Sequence, residues 1–238
     1  LWISSQNGLF KIRKDKDQIH SKFYKIDKEK LTKNVRDFIT CVYEDSEKNL
    51  WVGSEFGLFL MDRDSGKTKA FIHDKHNASS LSYDKINTIF EDSKNRLWIG
   101  SVVGLNQLDR QTGQFKRYFK SDGLANNNIK SIVEDRHGHL WMSTSNGLSR
   151  FDPVRKAFKR YHSTNGNISY NFNPRALVKD RNGKIMFGST NGIISFYPEK
   201  VIDNRFIPPI IISSLKSLKR DYTEEAYIYG GKPLKLPY

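Results

Sequence analysis

A nine-residue pattern that returns five times along the chain constrains its fold more than any other feature. The pattern is clearest at residues 97–105, LWIGSVVGL, where an apolar run with tryptophan in second place leads to a Gly-Leu pair. The other copies occupy residues 1–9, 50–58, 140–148 and, more weakly, 185–193. Their second positions, residues 2, 51, 98, 141 and 186, are spaced by 49, 47, 43 and 45 residues. This period is typical of four-stranded propeller blades and not of helical repeats.

Further elements surround each copy and complete a repeating unit. The copy itself predicts two strands joined by a tight turn, in which glycine supplies a positive φ. A strand precedes it, beginning 12 residues before the second position, at residues 39–45, 86–92, 129–135 and 174–180. A turn opened by aspartate follows at 61–66, 108–113 and 151–155, and an aromatic edge strand lies at 22–26, 69–72, 115–119 and 158–162. The predicted fold class is all-β, a propeller of up-and-down four-stranded blades.

The repeats also predict where the units of the chain begin and end. We place the propeller at residues 1–205, with blades near 1–33, 34–80, 81–125, 126–170 and 171–205. Because Leu1 already lies within a strand pattern, we expect further blades before it. The repeat stops after Pro198, and beyond Pro208-Pro209 the apolar runs 210–212 and 227–229 predict strands of a second domain at 206–238.

All four tryptophans of the protein lie in the second position of the pattern. A bulky residue at one register of every repeat suits packing between neighbouring units, because a repeat that cannot bury its apolar face alone must stack on the next. We therefore predict a structural role for Trp51, Trp98 and Trp141, with ligand contact by one of them as the alternative. The single cysteine, Cys41, excludes an intrachain disulfide and is expected to be buried and inert.

The charge balance bears on partners and not on fold. A net charge of +14 and a pI of about 9.7 favour an acidic partner: nucleic acid, anionic lipid or an acidic polysaccharide. Nucleic acid is the weaker choice, because the aromatic residues are assigned to strands and the basic residues are dispersed. No apolar run approaches the roughly 18 residues needed to span a bilayer.

Two arrangements that could suggest chemistry have simpler structural interpretations. The adjacent carboxylates Glu44-Asp45, Glu91-Asp92 and Glu134-Asp135 point to opposite faces of a strand, whereas a hydrolase needs two carboxylates converging across its substrate. Their return in one register indicates a structural turn. The pairs His137/His139 and His73/His76 lack the third ligand of a zinc site. We predict no catalytic residue, no metal and no cofactor.

A binding site is expected on the rim that carries the long connections 73–84, 121–128 and 163–173. The turns before Gly57, Gly104, Gly147 and Gly192 share this rim, and irregular surface connections carry most sites. Amides for sugar hydroxyls, aromatic faces for a pyranose ring and cations for acidic groups occur there. The candidates are Asn126, Asn127, Asn128, Asn171 and Asn173; Tyr83, Tyr170 and Phe172; and Lys85, Lys130 and Arg175. The alternative for each is a solvated or turn-forming residue.

Taken together, these motifs resemble a known repeat. I-x-x-I-x-E-D, LWIGS-x-x-GL, D-x-x-T-G and F-x-x-Y resemble the regulator-propeller repeat of hybrid two-component sensors of gut Bacteroidetes. The later segments PPIIISSLK and YGGKPLKLPY resemble the beginning of the tyrosine-rich, Ig-like stalk (Y_Y_Y) domain of those sensors. The chain departs from the pattern at Met186, Lys179, Ser4 and Ser143.

The resemblance implies a role in sensing. In that family, paired periplasmic propellers and a stalk lead through one membrane helix to a histidine kinase, and oligosaccharides control glycan-utilisation genes. It implies that this chain is a non-enzymatic part of the ectodomain of a homodimeric inner-membrane protein. The positive charge favours an acidic or sulfated glycan fragment as ligand. The alternatives are a protein-interaction scaffold and a polysaccharide-degrading propeller enzyme.

Overall fold

The computed structural model describes residues 1–5, 8–16, 18–25, 38–161 and 171–201, and in them the chain is almost entirely β. Those residues form eighteen strands in five antiparallel sheets. Blade 1 contains β1 (Trp2–Ser5), β2 (Gly8–Asp15) and β3 (Gln18–Tyr24), and blade 2 contains β4 (Ile39–Glu44), β5 (Leu50–Ser54), β6 (Gly57–Met61) and β7 (Thr68–Phe71). Their strands pair in sequence order.

The three later blades follow the same order. Blade 3 contains β8 (Ile86–Glu91), β9 (Leu97–Ser101), β10 (Gly104–Leu108) and β11 (Phe115–Tyr118). Blade 4 contains β12 (Ile129–Glu134), β13 (Leu140–Thr144), β14 (Leu148–Asp152) and β15 (Ala157–Tyr161), and blade 5 contains β16 (Phe172–Lys179), β17 (Ile185–Ser189) and β18 (Gly192–Phe196). The helices of the described residues are short 3-10 turns at Lys120–Asp122 and Pro198–Lys200, and none of them has the length and apolar character to span a bilayer.

The five copies of the sequence pattern are structurally equivalent. In every blade the residue in the tryptophan position pairs with the residue nine places further along the chain. The pairs are Trp2 with Lys11, Trp51 with Leu60, Trp98 with Gln107, Trp141 with Arg150, and Met186 with Ser195. The predicted all-β propeller of repeated antiparallel blades is therefore confirmed.

The first strand of each four-stranded blade is the innermost one. β4 packs on β8, β8 on β12 and β12 on β16, whereas the fourth strands form the outer edges. The connections between blades and the turns between second and third strands lie together on what we call the upper face. Backbone bonds join them, from Glu55 N to Phe38 O, from Val102 N to Lys85 O and from Ser145 N to Asn128 O, at 3.1–3.2 Å.

Aromatic packing between blades explains the repeated tryptophan. Trp51 and Trp98 are 3% and 1% exposed, and each shares a buried cluster with residues of the following blade. The ring of Trp98 meets Phe151 of blade 4 edge-on at 5.7 Å, and that of Trp141 lies 4.7 Å from Phe196 of blade 5. Blades 3, 4 and 5 thus bury the indole of the preceding blade, and the packing role predicted for Trp51, Trp98 and Trp141 is confirmed.

The inner strand of blade 5 differs from the sequence prediction. Ile39, Ile86 and Ile129 each pair with a serine or threonine at the end of the second strand, and a single extra residue then forms a β-bulge. In blade 5 the equivalent pair is Phe172 with Ser189, and three extra residues precede the next pair, Leu177 with Phe187. The sequence prediction placed the start of this strand at Pro174, 12 residues before the tryptophan position. That start was wrong by two residues, because this bulge is longer.

The compact unit described above covers Leu1–Lys200, and Val201–Tyr238 is a second unit of which only Val201 is described. The strands expected at 210–212 and 227–229, and the stalk domain expected at 206–238, lie outside the described residues. The blade and domain boundaries therefore remain predictions.

Candidate functional site

The lower face lies opposite the connections between blades, and the repeated aspartates stabilise its turns. Oδ2 of Asp45, Asp92 and Asp135 accepts a hydrogen bond from the indole nitrogen of Trp51, Trp98 and Trp141, at 2.7, 2.7 and 2.8 Å. Oδ1 of each accepts the backbone amides two and four residues further on. The aspartate thus closes the turn and orients the packed indole. Sequence reasoning missed this bond, although the constant six-residue spacing from Asp to Trp was its signal.

The glutamates beside these aspartates connect neighbouring blades. Glu91 accepts hydrogen bonds from the amide and hydroxyl of Ser46 in blade 2, at 2.7 and 3.0 Å. Glu134 accepts two equivalent hydrogen bonds, from the amide and the hydroxyl of Ser93 in blade 3, both at 2.8 Å. The structural role predicted for the carboxylate pairs is therefore confirmed. In blade 5, Lys179 replaces the glutamate and donates to the backbone oxygen of Glu134 at 2.6 Å, so a contact between these blades is kept with reversed polarity.

An arginine strengthens the junction between blades 2 and 3. Arg110 donates to Asp45 at 2.8 Å and to Glu91 at 2.5 Å. Burial acts to raise the pKa of Asp45, but the bonds from Trp51 and Asn49 and the charge of Arg110 outweigh it and lower that pKa. Asp45 is therefore ionised, and its oxygens are engaged within the protein.

The upper face carries most of the sequence-predicted binding residues. Tyr83 is 44% exposed, with its ring 6.4 Å from that of His73. Asn171, Asn173 and Arg175 are exposed, and the backbone oxygen of Asn171 accepts the amide of Thr190 at 3.1 Å. Tyr170 lies outside the described residues.

Phe172, predicted to offer a ring to a sugar, is instead a core residue. It is 1% exposed and meets Phe187 edge-on, with ring centroids 5.9 Å apart. The register of blade 5 is the reason, because Phe172 fills the buried position that Ile39, Ile86 and Ile129 fill elsewhere. Its ring is not available at the surface.

The three consecutive asparagines use their side-chain oxygens within the protein. Oδ1 of Asn126 accepts the amide of Asn128 at 2.9 Å, and Oδ1 of Asn127 accepts that of Lys120 at 2.6 Å. Oδ1 of Asn128 accepts the side-chain nitrogen of Asn87 at 3.0 Å. Within the described chain their own amide nitrogens have no partner, so these residues can present donors but few acceptors to a ligand.

A second group of upper-face residues lies at the bulges of the inner strands. In blade 2, the Thr40 hydroxyl donates to the backbone oxygen of Ile86 at 2.6 Å, and in blade 3, Asn87 donates to that of Ile129 at 2.7 Å. Lys130 is the equivalent residue of blade 4, and it makes no side-chain bond to any described residue. Burial, and next the charge of Lys85, lower its pKa. Lys85 itself is paired with Glu55 at 2.5 Å.

His73, His139 and Cys41 have polar or buried surroundings within the protein. Nδ1 of His73 lies 2.8 Å from the backbone oxygen of Leu81, and Nδ1 of His139 lies 3.3 Å from Asp135. Over the described ranges, no three His, Cys, Asp or Glu residues are grouped so as to hold a metal ion. Cys41 is buried, and burial raises its pKa to about 11 against smaller lowering effects that include the charge of Arg175. The predicted buried thiol is confirmed.

Comparison with known proteins finds similarity to a family of regulator propellers. A sequence model described as "Two component regulator propeller" matches residues 36–56, 80–102 and 123–146. Each matched segment spans an inner strand and the strand after it. A search of curated proteins finds no match.

Solved structures agree with the fold. An extracellular domain from B. thetaiotaomicron, described as part of a hybrid two-component system, is 28% identical over 90% of this chain, with a TM-score of 0.72. A second from the same organism, described as a one-component system, is 24% identical over 82%, with a TM-score of 0.61. This chain spans only 28% and 25% of those two structures.

An enzyme shares the fold as well. Virginiamycin B lyase from Staphylococcus aureus is 15% identical over 82% of this chain and 65% of its own, with a TM-score of 0.57, which shows a common propeller architecture. The repeats of blades 2, 3 and 4 thus match the two-component regulator propeller, and the described unit resembles the extracellular domain of a Bacteroides sensor.

Proposed function

We propose that this chain is part of the extracytoplasmic sensing region of a two-component system and binds an oligosaccharide on its upper face. The observation that carries the proposal is the 28% identity, over 90% of the chain, to an extracellular domain of that description. The three matched regulator-propeller repeats support it independently. The likeness to the lyase does not compete, because at 15% identity it reflects the fold alone.

In this proposal the chain senses and does not catalyse. Ligand binding shifts an existing equilibrium between arrangements of a homodimer in the periplasm. A stalk beginning near residue 206 passes the change to a membrane helix and a histidine kinase outside this chain, which control glycan-utilisation genes. The bonds of Glu91, Glu134 and the repeated aspartates make each blade a firm support for the residues at its upper end.

The favoured ligand is an acidic or sulfated glycan fragment. The net charge of +14 attracts anions over several ångströms, as far as salt allows. The upper face carries cationic side chains, and it also carries Asn126 and Asn127, whose side-chain nitrogens can donate to sugar hydroxyls or acidic oxygens. The exposed ring of Tyr83 can cover one face of a pyranose.

Titration calorimetry with matched neutral and sulfated oligosaccharides, at two salt concentrations, tests the proposal. We expect binding of at least one oligosaccharide, tighter for the sulfated form, with an affinity that falls as salt rises. Affinity unaffected by salt would remove the acidic ligand. No binding of either class would contradict the proposed function for this chain.

A further inference from the structure

We propose that Lys130 and Arg175 form a seat for one anionic group, a sulfate ester or a carboxylate, at the upper ends of the inner strands of blades 4 and 5. The inference rests on the proposed function, because it names the ligand group that the upper face selects. Both residues lie in the bulges of adjacent, packed strands, β12 and β16.

Lys130 departs from a repeated structural role. The bulge residues of blades 2 and 3, Thr40 and Asn87, are neutral and bind the backbone of the next blade at 2.6 and 2.7 Å. Lys130 occupies the same position but makes no such bond to the described backbone of the next blade. A residue that breaks a local rule without an internal compensation marks a place where function has replaced stability.

The bulge of blade 5 is larger than those of the other blades. Its three extra residues, against one elsewhere, leave Asn173 and Arg175 exposed at the innermost strand. Arg175 has a φ of 60°, a left-handed conformation that is unfavourable for a side chain of this size. β-bulges redirect side chains near functional sites, and here the redirected group is a guanidinium.

Among the described residues, the positive charges of Lys130 and Arg175 are not balanced by carboxylates. Lys85 stands close enough to depress the pKa of Lys130, and the carboxylate nearest to Lys85, Glu55, is already paired with it. Across residues 38–161 and 171–201, neither Lys130 nor Arg175 has a carboxylate partner within 4.0 Å. A bound anion would supply the missing counter-charge, and the arginine fork matches two oxygens of a sulfate or carboxylate.

Inorganic sulfate tests the seat without a saccharide. The full chain is melted in low-millimolar sulfate against chloride of equal ionic strength, as wild type and as Lys130→Gln, Arg175→Gln, Lys94→Gln and Arg181→Gln. Lys94 and Arg181 are exposed lower-face residues, so their variants change charge equally and serve as controls. At ten times its dissociation constant, sulfate should raise the Tm by about 3 °C.

The variants decide the outcome. We expect the sulfate shift in wild type and in both controls, and its loss in Lys130→Gln and Arg175→Gln. An equal shift in all five proteins, or none in wild type, would overturn the seat.

Matched oligosaccharides then separate this inference from the proposed function. We expect Lys130→Gln and Arg175→Gln to weaken binding of a sulfated oligosaccharide about tenfold and to leave its neutral counterpart unaffected. If wild type binds both forms equally, the seat is refuted and saccharide sensing stands. If sulfate binds the seat and no saccharide binds, sensing fails and the anion seat stands.

Discussion

The bond between Asp135 and Trp141 shows how much one residue pair can determine in a repeated fold. The carboxylate is buried, and burial acts to raise its pKa. The indole of Trp141 and the amides of His139 and His137 outweigh burial and lower that pKa. A buried carboxylate is tolerated only when its oxygens are bonded in this way.

Replacing Trp141 with phenylalanine should therefore destabilise the protein by about 1–3 kcal/mol, because an oxygen of Asp135 loses its buried donor. Urea unfolding followed by circular dichroism measures the change. Trp2→Phe is the matched control, since Trp2 is partly exposed and its indole nitrogen has no hydrogen bond to a described residue. Equal losses in the two variants would assign the effect to ring size alone.

The thiol of Cys41 gives a second test at this scale. Burial raises its pKa to about 11, and only the thiolate attacks a disulfide reagent. We expect no reaction with Ellman's reagent in the native protein at pH 8, and one equivalent in guanidinium. Native labelling at the unfolded rate would show that the inner strand of blade 2 opens freely.

At the level of elements, the contacts between blades can be tested separately from the strands that form each blade. Glu134 and Ser93 hold blades 3 and 4 together through two bonds of 2.8 Å on a partly exposed face. A double-mutant cycle of Glu134→Gln and Ser93→Ala should give a coupling energy of about 0.5–1 kcal/mol, because solvent weakens the charged bond. Additive losses would mean that the amide of Ser93 alone sustains the contact.

The blades could be predicted from sequence because they depend on local rules. The Trp-to-Gly spacing fixed the second and third strands, and both were found where the pattern put them. The start of β16 could not be obtained by counting, since Phe172 and Pro174 are both plausible strand residues and only packing against Phe187 selects the first. The bulge that exposes Arg175 follows from this selection.

Site residues were harder to predict than strands for a related reason. Sequence shows that Asn126, Asn127 and Asn128 are polar, but their side-chain oxygens are engaged by Asn128, Lys120 and Asn87. The first of these bonds is local, but those to Lys120 and Asn87 join residues seven and 41 positions apart, which meet only in the folded chain. Lys130 was a binding candidate from sequence because it is a cation on the expected rim, and the structure adds that, within the described residues, it lacks the bond that its counterparts make.

For the whole molecule, charge and hydrogen bonding act together on stability at low pH. The pKa values of Asp45, Asp135 and Asp152 are lowered, in each case by hydrogen bonds that outweigh burial. A carboxyl whose pKa is lower in the folded state stabilises the fold above its unfolded pKa, and that contribution is lost as pH falls through the folded value. Asp45 and Asp135 occupy the same turn of blades 2 and 4, so the effect occurs in two blades.

We therefore expect the urea midpoint to change little from pH 7 to pH 5 and to fall steeply below about pH 4, where unfolded carboxyls take up protons. Protonation of the 26 carboxylates would also raise the net charge from +14 towards +40, adding repulsion among the basic residues. Salt screens that repulsion but does not restore the bonds to Asp45 and Asp135. Added chloride at pH 3 should consequently recover only part of the lost midpoint. Full recovery would show that repulsion alone unfolds the propeller, and an unchanged midpoint at pH 3 would show that the repeated aspartates contribute no pH-dependent stability.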